Sequence, residues 1–191
     1  MNDEAWKNAE VATDFVVLRP ANGKVVDKNY QTTVKVVYND DAIYISAEMN
    51  DPNPEKIPRE FAVRDNFSIS DFFLVTINPN DDGQNPFEFI VQATGNQADA
   101  KVSNGREDFN WSGVWASASR ITDAGWVVEM EIPYRALRFA NQPVQSWGFN
   151  FHRRLELLNE KHTWNHIDNI VGRWTQYDGL ITDLREIKPT T

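Results

Sequence analysis

The feature that most constrains this fold is an alternation of apolar and polar side chains with a period of two residues. Every second residue from Ile43 to Met49 is apolar, and Val34, Val36 and Tyr38 follow the same rule in the preceding run. A period of two puts alternate side chains on opposite faces of a β-strand. Residues 39–41, Asn-Asp-Asp, supply turn chemistry between the runs. The two runs therefore predict a β-hairpin.

The same pattern recurs along the rest of the chain. Further strands are predicted at Phe72–Ile77, Phe87–Val91, Val114–Ser119 and Trp126–Ile132, with another beginning at Trp147–Phe151. Helical signals are limited to short turns at Glu4–Ala9, Pro58–Val63 and Pro133–Leu137. Strands at such spacing with few helices predict an all-β fold, an antiparallel β-sandwich. The phase of the alternation places Trp126 and Trp147 in its core.

Length and composition exclude several classes of protein. A chain of 191 residues can bury its own core, and we predict one domain over 1–191, with a core over about 3–184 and a tail or linker at 185–191. The net charge of −9 lacks the basic surface that phosphate-backbone binders present, so we expect no nucleic-acid partner. No apolar stretch is long enough to insert into a membrane, and we expect a monomer. Without cysteine there is no disulfide and no thiolate metal site.

Three motifs, in this order, resemble family 9 carbohydrate-binding modules and their relatives. They are Ile-Tyr-Ile-Ser-Ala at 43–47 leading to Asp51-Pro52, Asp-Phe-Phe-Leu-Val-Thr-Ile-Asn-Pro at 71–79, and Gly-Trp-Val-Val-Glu-Met-Glu-Ile-Pro-Tyr at 125–134, followed by Leu137-Arg138-Phe139 and the strand from Trp147. With Trp111–Trp115 and Arg153-Arg154, they are most similar to modules at the N-terminus of large bacterial outer-membrane proteins, ahead of a predicted β-barrel. The resemblance spans roughly residues 3–184.

This resemblance implies a non-catalytic module that binds a glycan or oligosaccharide. It also implies export to the cell envelope, periplasmic or outer-membrane-associated, by a signal peptide absent from this sequence, and a C-terminal barrel as a further partner. Family 9 modules proper hold a terminal sugar between two tryptophans, with polar side chains and structural calcium. Because fold does not imply function, two alternatives stay open: a structural or protein-interaction module without a sugar site, and a haem-binding, cytochrome-like sandwich.

Three tryptophans in polar or loop-rich segments are the predicted ligand-binding residues. Trp111 lies in a polar segment at 106–113, and Trp164 and Trp174 flank the loop-rich stretch 165–173. An exposed indole covers the C–H face of a sugar ring while polar neighbours bind the hydroxyls. The alternative is that each of these tryptophans caps the core, which is the more frequent use of a large aromatic side chain.

A candidate metal site follows the strand Phe72–Ile77. Asn78, Asn80 and Asp82 are spaced by two and Gly83 follows, as in the first half of an EF-hand calcium loop. Position twelve of that loop is Phe89, where a bidentate glutamate is required. Two interpretations remain: a hairpin turn rich in turn-forming residues, which the missing glutamate favours, and a structural calcium ion at these three side chains.

Paired carboxylates do not by themselves indicate catalysis in this sequence. Glu129 and Glu131 project from one face of a predicted strand about 7 Å apart, near the separation that glycosidases use. Alternation gives that geometry on any solvent-facing strand, and no other motif indicates an active-site cleft. We therefore predict that the chain is not an enzyme.

Overall fold

The computed structural model describes residues 4–170 and 174–189, and within these ranges the chain forms thirteen strands and five short 3-10 turns. The strands are β1 (Val11–Ala12), β2 (Val16–Arg19), β3 (Thr32–Tyr38), β4 (Ala42–Asn50), β5 (Phe72–Asn78), β6 (Phe87–Gln92), β7 (Gln97–Ser103), β8 (Arg106–Asp108), β9 (Ala116–Thr122), β10 (Gly125–Pro133), β11 (Val144–Leu155), β12 (Glu160–Thr163) and β13 (Gly179–Arg185). The turns are Glu4–Trp6, Lys28–Tyr30, Pro54–Lys56, Tyr134–Ala136 and Trp174–Tyr177. In the described part of the chain, no helix is long and apolar enough to cross a membrane.

Two antiparallel sheets pack face to face, which confirms the predicted sandwich. The five-stranded sheet has the order β1-β3-β4-β10-β9, and the eight-stranded sheet the order β2-β12-β11-β5-β6-β7-β8, with β13 also paired to β11. The long strand β11 pairs with β5 along one edge and with both β12 and β13 along the other. Strand β11 therefore organises the larger sheet.

The hairpin predicted on either side of residues 39–41 is confirmed as β3–β4, and β5–β6 and β9–β10 also pair as antiparallel hairpins. The helical turn predicted at Pro58–Val63 is wrong. A 3-10 turn lies earlier, at Pro54–Lys56, where proline occupies the first helical position. The following residues pair with a distant segment instead: Arg59 bridges Ser70, and the Glu60 N–H donates to the Ile69 carbonyl at 3.1 Å.

The core lies between the sheets and is rich in aromatic side chains. Trp126 and Trp147 are 1% and 0% exposed, as their phase predicted. Trp147 meets Tyr134 edge-on, at 6.0 Å between ring centroids. Ile187 is also buried, so part of the segment predicted as a tail packs against the core, while residues 190–191 lie outside the described residues.

A charged side chain, Arg153, lies inside this core and joins the two sheets. It projects inward from β11 and is fully buried. Its Nη1 donates to the carbonyl oxygens of Tyr30, at 3.0 Å, and Asn50, at 2.9 Å, at the start of β3 and the end of β4. Burial lowers the pKa of Arg153 to about 10, although Asp71 and Asp51 raise it, so the guanidinium is charged at neutral pH.

Replacing Arg153 should destabilise the fold severely. Arg153→Met leaves two buried carbonyls without their donor and Asp71 without its nearby cation, so we expect a loss of about 3–5 kcal/mol in the free energy of unfolding. Arg185→Met is the matched control, since Arg185 pairs with Asp183 on the surface at 2.7 Å and should cost about 1 kcal/mol or less. Urea denaturation measures both, and equal losses would contradict the role of Arg153.

Candidate functional site

The outer face of the eight-stranded sheet carries a layer of buried polar side chains. The register of β6, β5 and β11 aligns Glu88, Thr76 and Asn150 in one row across three adjacent strands. All three side chains are buried, as is His152 one position along the same face of β11. Outward-facing strand residues normally meet water, so another part of the chain must cover this face.

The cover comes from residues 164–170 and 174–178. The side chain of Asn150 accepts the Asn165 N–H at 3.0 Å and donates to the Asn165 carbonyl at 3.3 Å. Further along, the Thr175 hydroxyl donates to the Gly83 carbonyl. Gly148 lies directly under Asp178, where an added Cβ atom would come within 3.2 Å of the Asp178 Cβ. The segment thus fixes a polar interior outside the sandwich core.

Several polar atoms of this interior have no hydrogen-bond partner among the described residues. They are Thr76 Oγ1, Glu88 Oε2 and His152 Nδ1 on the sheet, and Asn165 Nδ2 and both carboxyl oxygens of Asp178 on the cover. A buried polar atom without a partner costs about 1–3 kcal/mol. So many together indicate a place prepared for hydrogen bonds to a molecule that is not part of the chain.

A cavity of about 270 Å³ opens onto this layer. Its walls are mostly polar and include one indole: Arg19, Glu88, Glu107, His152, Lys161 and Asn169, with Leu18, Ile167 and Trp174. Arg19 lies on β2 and Glu107 on β8, the two ends of the sheet order. Because both line one cavity, the sheet curves around it. We call this space the polar cavity.

Burial shifts the pKa values of ionisable groups in the polar layer and its cover toward their uncharged forms. Burial, together with the charges of Glu107 and Asp178, raises the pKa of Glu88 to about 8, against the opposing effect of Lys161. Burial lowers the pKa of His152 well below its ordinary value, with Lys161 adding to the effect. Burial and Asp81 raise the pKa of Asp178 to about 7. Near neutral pH Glu88 and His152, which both line the cavity, are therefore uncharged hydrogen-bonding groups.

The structure does not gather the three predicted tryptophans around one ligand. Trp174 lines the polar cavity. Trp111 packs on the rings of Phe87 and Phe89, with centroids at 5.2 and 6.0 Å. Trp164 is half-buried against Phe151 and lines a different cavity, between the sheets. The geometry thus selects Trp174 as the tryptophan placed beside the unpartnered polar groups.

The polar side chains of the site were missed by the sequence reasoning. Alternation assigned Asn150 and His152 to the outward face of their strand, where exposure to water was the default expectation. One sequence signal could have indicated this burial. Strand β6, Phe-Glu-Phe-Ile-Val-Gln, is apolar at four of six positions without alternation, which is typical of a strand buried on both faces. Glu88 inside that run marks a carboxyl group that the fold buries.

The predicted calcium ligands form the closed hydrogen-bond pattern of a turn. The Asp82 carboxylate accepts the backbone N–H groups of Gln84, at 2.8 Å, and Asn85, at 3.0 Å. The Asn78 amide, oriented to satisfy both of its groups, donates to Asp82 at 3.2 Å and accepts from the Gly83 N–H at 2.9 Å. Asn80 is directed instead toward the Arg138 carbonyl, at 3.5 Å. A cation here would have to displace these donors, so the side chains as arranged do not fit one.

No compact acidic cluster offers an alternative metal site in the described part of the chain. Within residues 4–170 and 174–189, no three His, Asp or Glu side chains come together in a way that would hold a metal ion.

The hydrogen bonds of the 78–85 turn also set the pKa of Asp82. Burial raises this pKa, but hydrogen bonds from Asn85 and Gln84 outweigh the effect of burial, and the net pKa is lowered. Calcium at Asn78, Asn80 and Asp82 stays a prediction.

The buried carboxyl groups should make stability depend on pH. Glu88 and Asp178 have ordinary pKa values of 4.5 and 3.8, and about 8 and about 7 in the folded chain. Between those limits the folded chain holds protons that the unfolded chain has released, so the free energy of unfolding falls as pH rises. We expect a lower urea midpoint at about pH 9 than at about pH 5. The double variant E88Q/D178N should flatten this dependence, and an unchanged slope would contradict the assignment.

The chain was compared with known families and structures. A model of the family described as carbohydrate family 9 binding domain-like matches residues 1–163. A family 9 carbohydrate-binding module from Caldicellulosiruptor kristjanssonii, in complex with cellotriose, is similar with a TM-score of 0.66 and 16% identity over 95% of this chain and 86% of that chain. Its complex with glucose gives a TM-score of 0.66 and 16% identity over 100% and 90%.

A third solved structure, a proposed carbohydrate-binding protein from Bacteroides uniformis, has a TM-score of 0.67 and 15% identity over 91% of this chain and 86% of that chain. No curated protein matches the chain. At these identities the structural likeness shows the fold, a β-sandwich of the same kind. The family match covers most of the sequence, and on that basis the chain belongs to the carbohydrate family 9 binding domain-like family.

Proposed function

We propose that this chain binds the terminal unit of a neutral glycan in the polar cavity, with the Trp174 indole stacking on the sugar ring. The observation that carries the proposal is the joint presence of an indole and unpartnered buried polar atoms around one space of about 270 Å³. Ligand sites typically combine an apolar wall with a few polar groups of this kind. Membership of a carbohydrate-binding, non-catalytic family supports the same ligand class.

The chemistry of the lining suits sugar hydroxyls. A hydroxyl both donates and accepts, so it can pair with a protonated Glu88, a neutral His152 or the Lys161 amine. Groups that are uncharged in the cavity lose less hydration energy when a ligand displaces water than charged groups do. The two Caldicellulosiruptor complexes hold glucose and cellotriose, which makes these the first saccharides to test.

The Trp174→Ala variant tests the stacking role. Loss of the indole should raise the dissociation constant for cellotriose at least tenfold, corresponding to about 1.4 kcal/mol, as measured by isothermal titration calorimetry. Trp164→Ala is the matched control, since Trp164 lines another cavity and its loss should leave saccharide affinity within twofold. Equal affinity of wild type and Trp174→Ala would overturn the assignment. Absence of binding across a panel of neutral oligosaccharides would overturn the function itself.

Structural calcium at the 78–82 turn stays a prediction from the sequence, against which the hydrogen bonds of Asp82 and Asn78 argue. Thermal melting with added calcium and then with chelator tests it, because an ion that binds only the folded state raises the melting temperature. A rise that Asp82→Ala abolishes would support the site. Given the hydrogen bonds that Asp82 already accepts, we expect a shift below about 1 °C and take such a result as evidence for a self-sufficient turn.

A second candidate function is docking of another protein, such as the predicted barrel in the cell envelope. The observation that favours it is an exposed apolar segment: Phe61, Val63 and Ile69 are 81%, 73% and 62% exposed. Exposed apolar patches mark interaction surfaces. If the separately produced barrel captures the wild-type chain but not Phe61→Glu, docking is supported, and equal capture of both removes this segment from consideration.

The haem alternative finds no support in the cavity between the sheets. Met49 and Met130 are buried in the core at 1% and 2% exposure, away from any opening to solvent. The inter-sheet cavity has no methionine, histidine or lysine in its lining. Haem iron needs an axial side chain of that kind.

A further inference from the structure

A second cavity, of about 480 Å³, opens between the two sheets along one side of the sandwich. One wall comes from β1 and β3 of the five-stranded sheet, and the other from β11, β13 and Trp164. Its lining is Glu10, Val11, Ala12, Val34, Val36, Tyr38, Phe151, Trp164, Leu180, Ile181, Thr182, Asp183 and Leu184. We call this space the inter-sheet cavity.

The side chains that line the inter-sheet cavity are more often apolar than those of the polar cavity. Nine of its thirteen lining residues are aliphatic, phenylalanine or tryptophan side chains, whereas the polar cavity has three of nine. The Trp164 and Phe151 rings form an aromatic wall, with centroids 5.3 Å apart at a tilt of 42°. A sugar needs hydrogen-bonding partners for its hydroxyls, and this lining supplies few. It suits a lipophilic molecule instead.

The cavity stays open because the sandwich does not close on this side. Strand β1 has only two residues, and β13 pairs with β11 alone among the described strands. Val36, Trp164 and Ile181 therefore pack against the core with one side and leave the other partly exposed. Protein interiors are otherwise close-packed, and a wet apolar cleft of this size forfeits hydrophobic stabilisation that a ligand would recover.

The charged side chains that line the inter-sheet cavity disfavour an anionic ligand. Glu10 and Asp183 are the carboxylates of the lining. Asp183 is paired with Arg185 at 2.7 Å on the surface. No basic side chain belongs to the lining, so an anionic ligand would have no partner there and would face a carboxylate.

From this geometry we propose that the inter-sheet cavity is a second ligand site, for an uncharged lipophilic molecule with an aromatic ring. The ring lies against Trp164 and Phe151, and the aliphatic side chains of β3 and β13 enclose it. This site is independent of the saccharide proposal because the two cavities share no lining residue.

The test uses the neutral fluorophore N-phenyl-1-naphthylamine, whose emission rises in apolar surroundings and which accepts energy from nearby tryptophan. Wild type should bind it saturably, with quenching of tryptophan emission. Trp164→Ala should weaken binding at least fivefold. Leu180→Glu places a carboxylate in the lining at a position already 53% exposed, so it should fold normally and weaken binding to a similar degree.

Val25→Glu is the matched control, since Val25 is 78% exposed and lines neither cavity, and it should bind like wild type. Trp174→Ala should also bind the fluorophore normally, which separates failure of this site from failure of the saccharide site. The anionic analogue 8-anilinonaphthalene-1-sulfonate should bind at least tenfold more weakly. No saturable binding, equal binding by Leu180→Glu and wild type, or equal affinity for the anion would overturn the proposal.

Discussion

The buried guanidinium of Arg153 is the constraint on which the rest of the structure depends. It reaches from β11 to the carbonyls of Tyr30 and Asn50 in the opposite sheet, at 3.0 and 2.9 Å. Burying this charge is costly, and the two hydrogen bonds that Nη1 donates offset part of the cost only if those two chain segments arrive at fixed positions. The carboxyl group of Asp71 is held beside it by the Glu156 N–H at 2.8 Å, and burial raises its pKa to about 6. One side chain thereby sets the spacing between the sheets at this end.

The same strand also positions the candidate site, because its side chains alternate between two buried faces. Arg153 points into the core, while Asn150 and His152 point into the polar layer beneath the cover. Because Arg153 fixes the position of β11 in the core, it also fixes the backbone positions of Asn150 and His152. Only the side-chain rotamers of these two residues can still vary. Preorganised polar groups of this kind cost stability in the absence of a partner, which is a usual feature of binding sites.

The hairpins were predictable from the sequence, whereas the site was not. Strands with one wet face, such as β3 and β10, show clean alternation, and turn residues such as Asn39 and Gly125 delimit them. Strands β1, β2 and β8 have two to four residues, too short for any period to be visible. Glu88 and Asn150 were missed for another reason. Their side chains are covered by residues 164–170 and 174–178, and the local sequence pattern of β6 and β11 carries no information about such a cover.

The tryptophans illustrate the same limit. Alternation placed Trp126 and Trp147 correctly because their neighbours on the strand share their environment. For Trp164 and Trp174 the surroundings depend on long-range contacts, and the two side chains line different cavities. Composition gives the number of tryptophans, but it does not show which of them lines the polar cavity and which lines the inter-sheet cavity.

One contact connects the two cavities through the backbone. An added Cβ at Gly179 would come within 2.3 Å of the Asn165 amide nitrogen and 2.6 Å of the Trp164 ring. Only a residue without a side chain lets β13 run this close to both neighbours. Asn165 bonds to Asn150 in the polar layer, and Trp164 forms the wall of the inter-sheet cavity. Two consecutive residues, held against one glycine, thus belong to sites of different chemistry, so the two sites have separate linings but a common support.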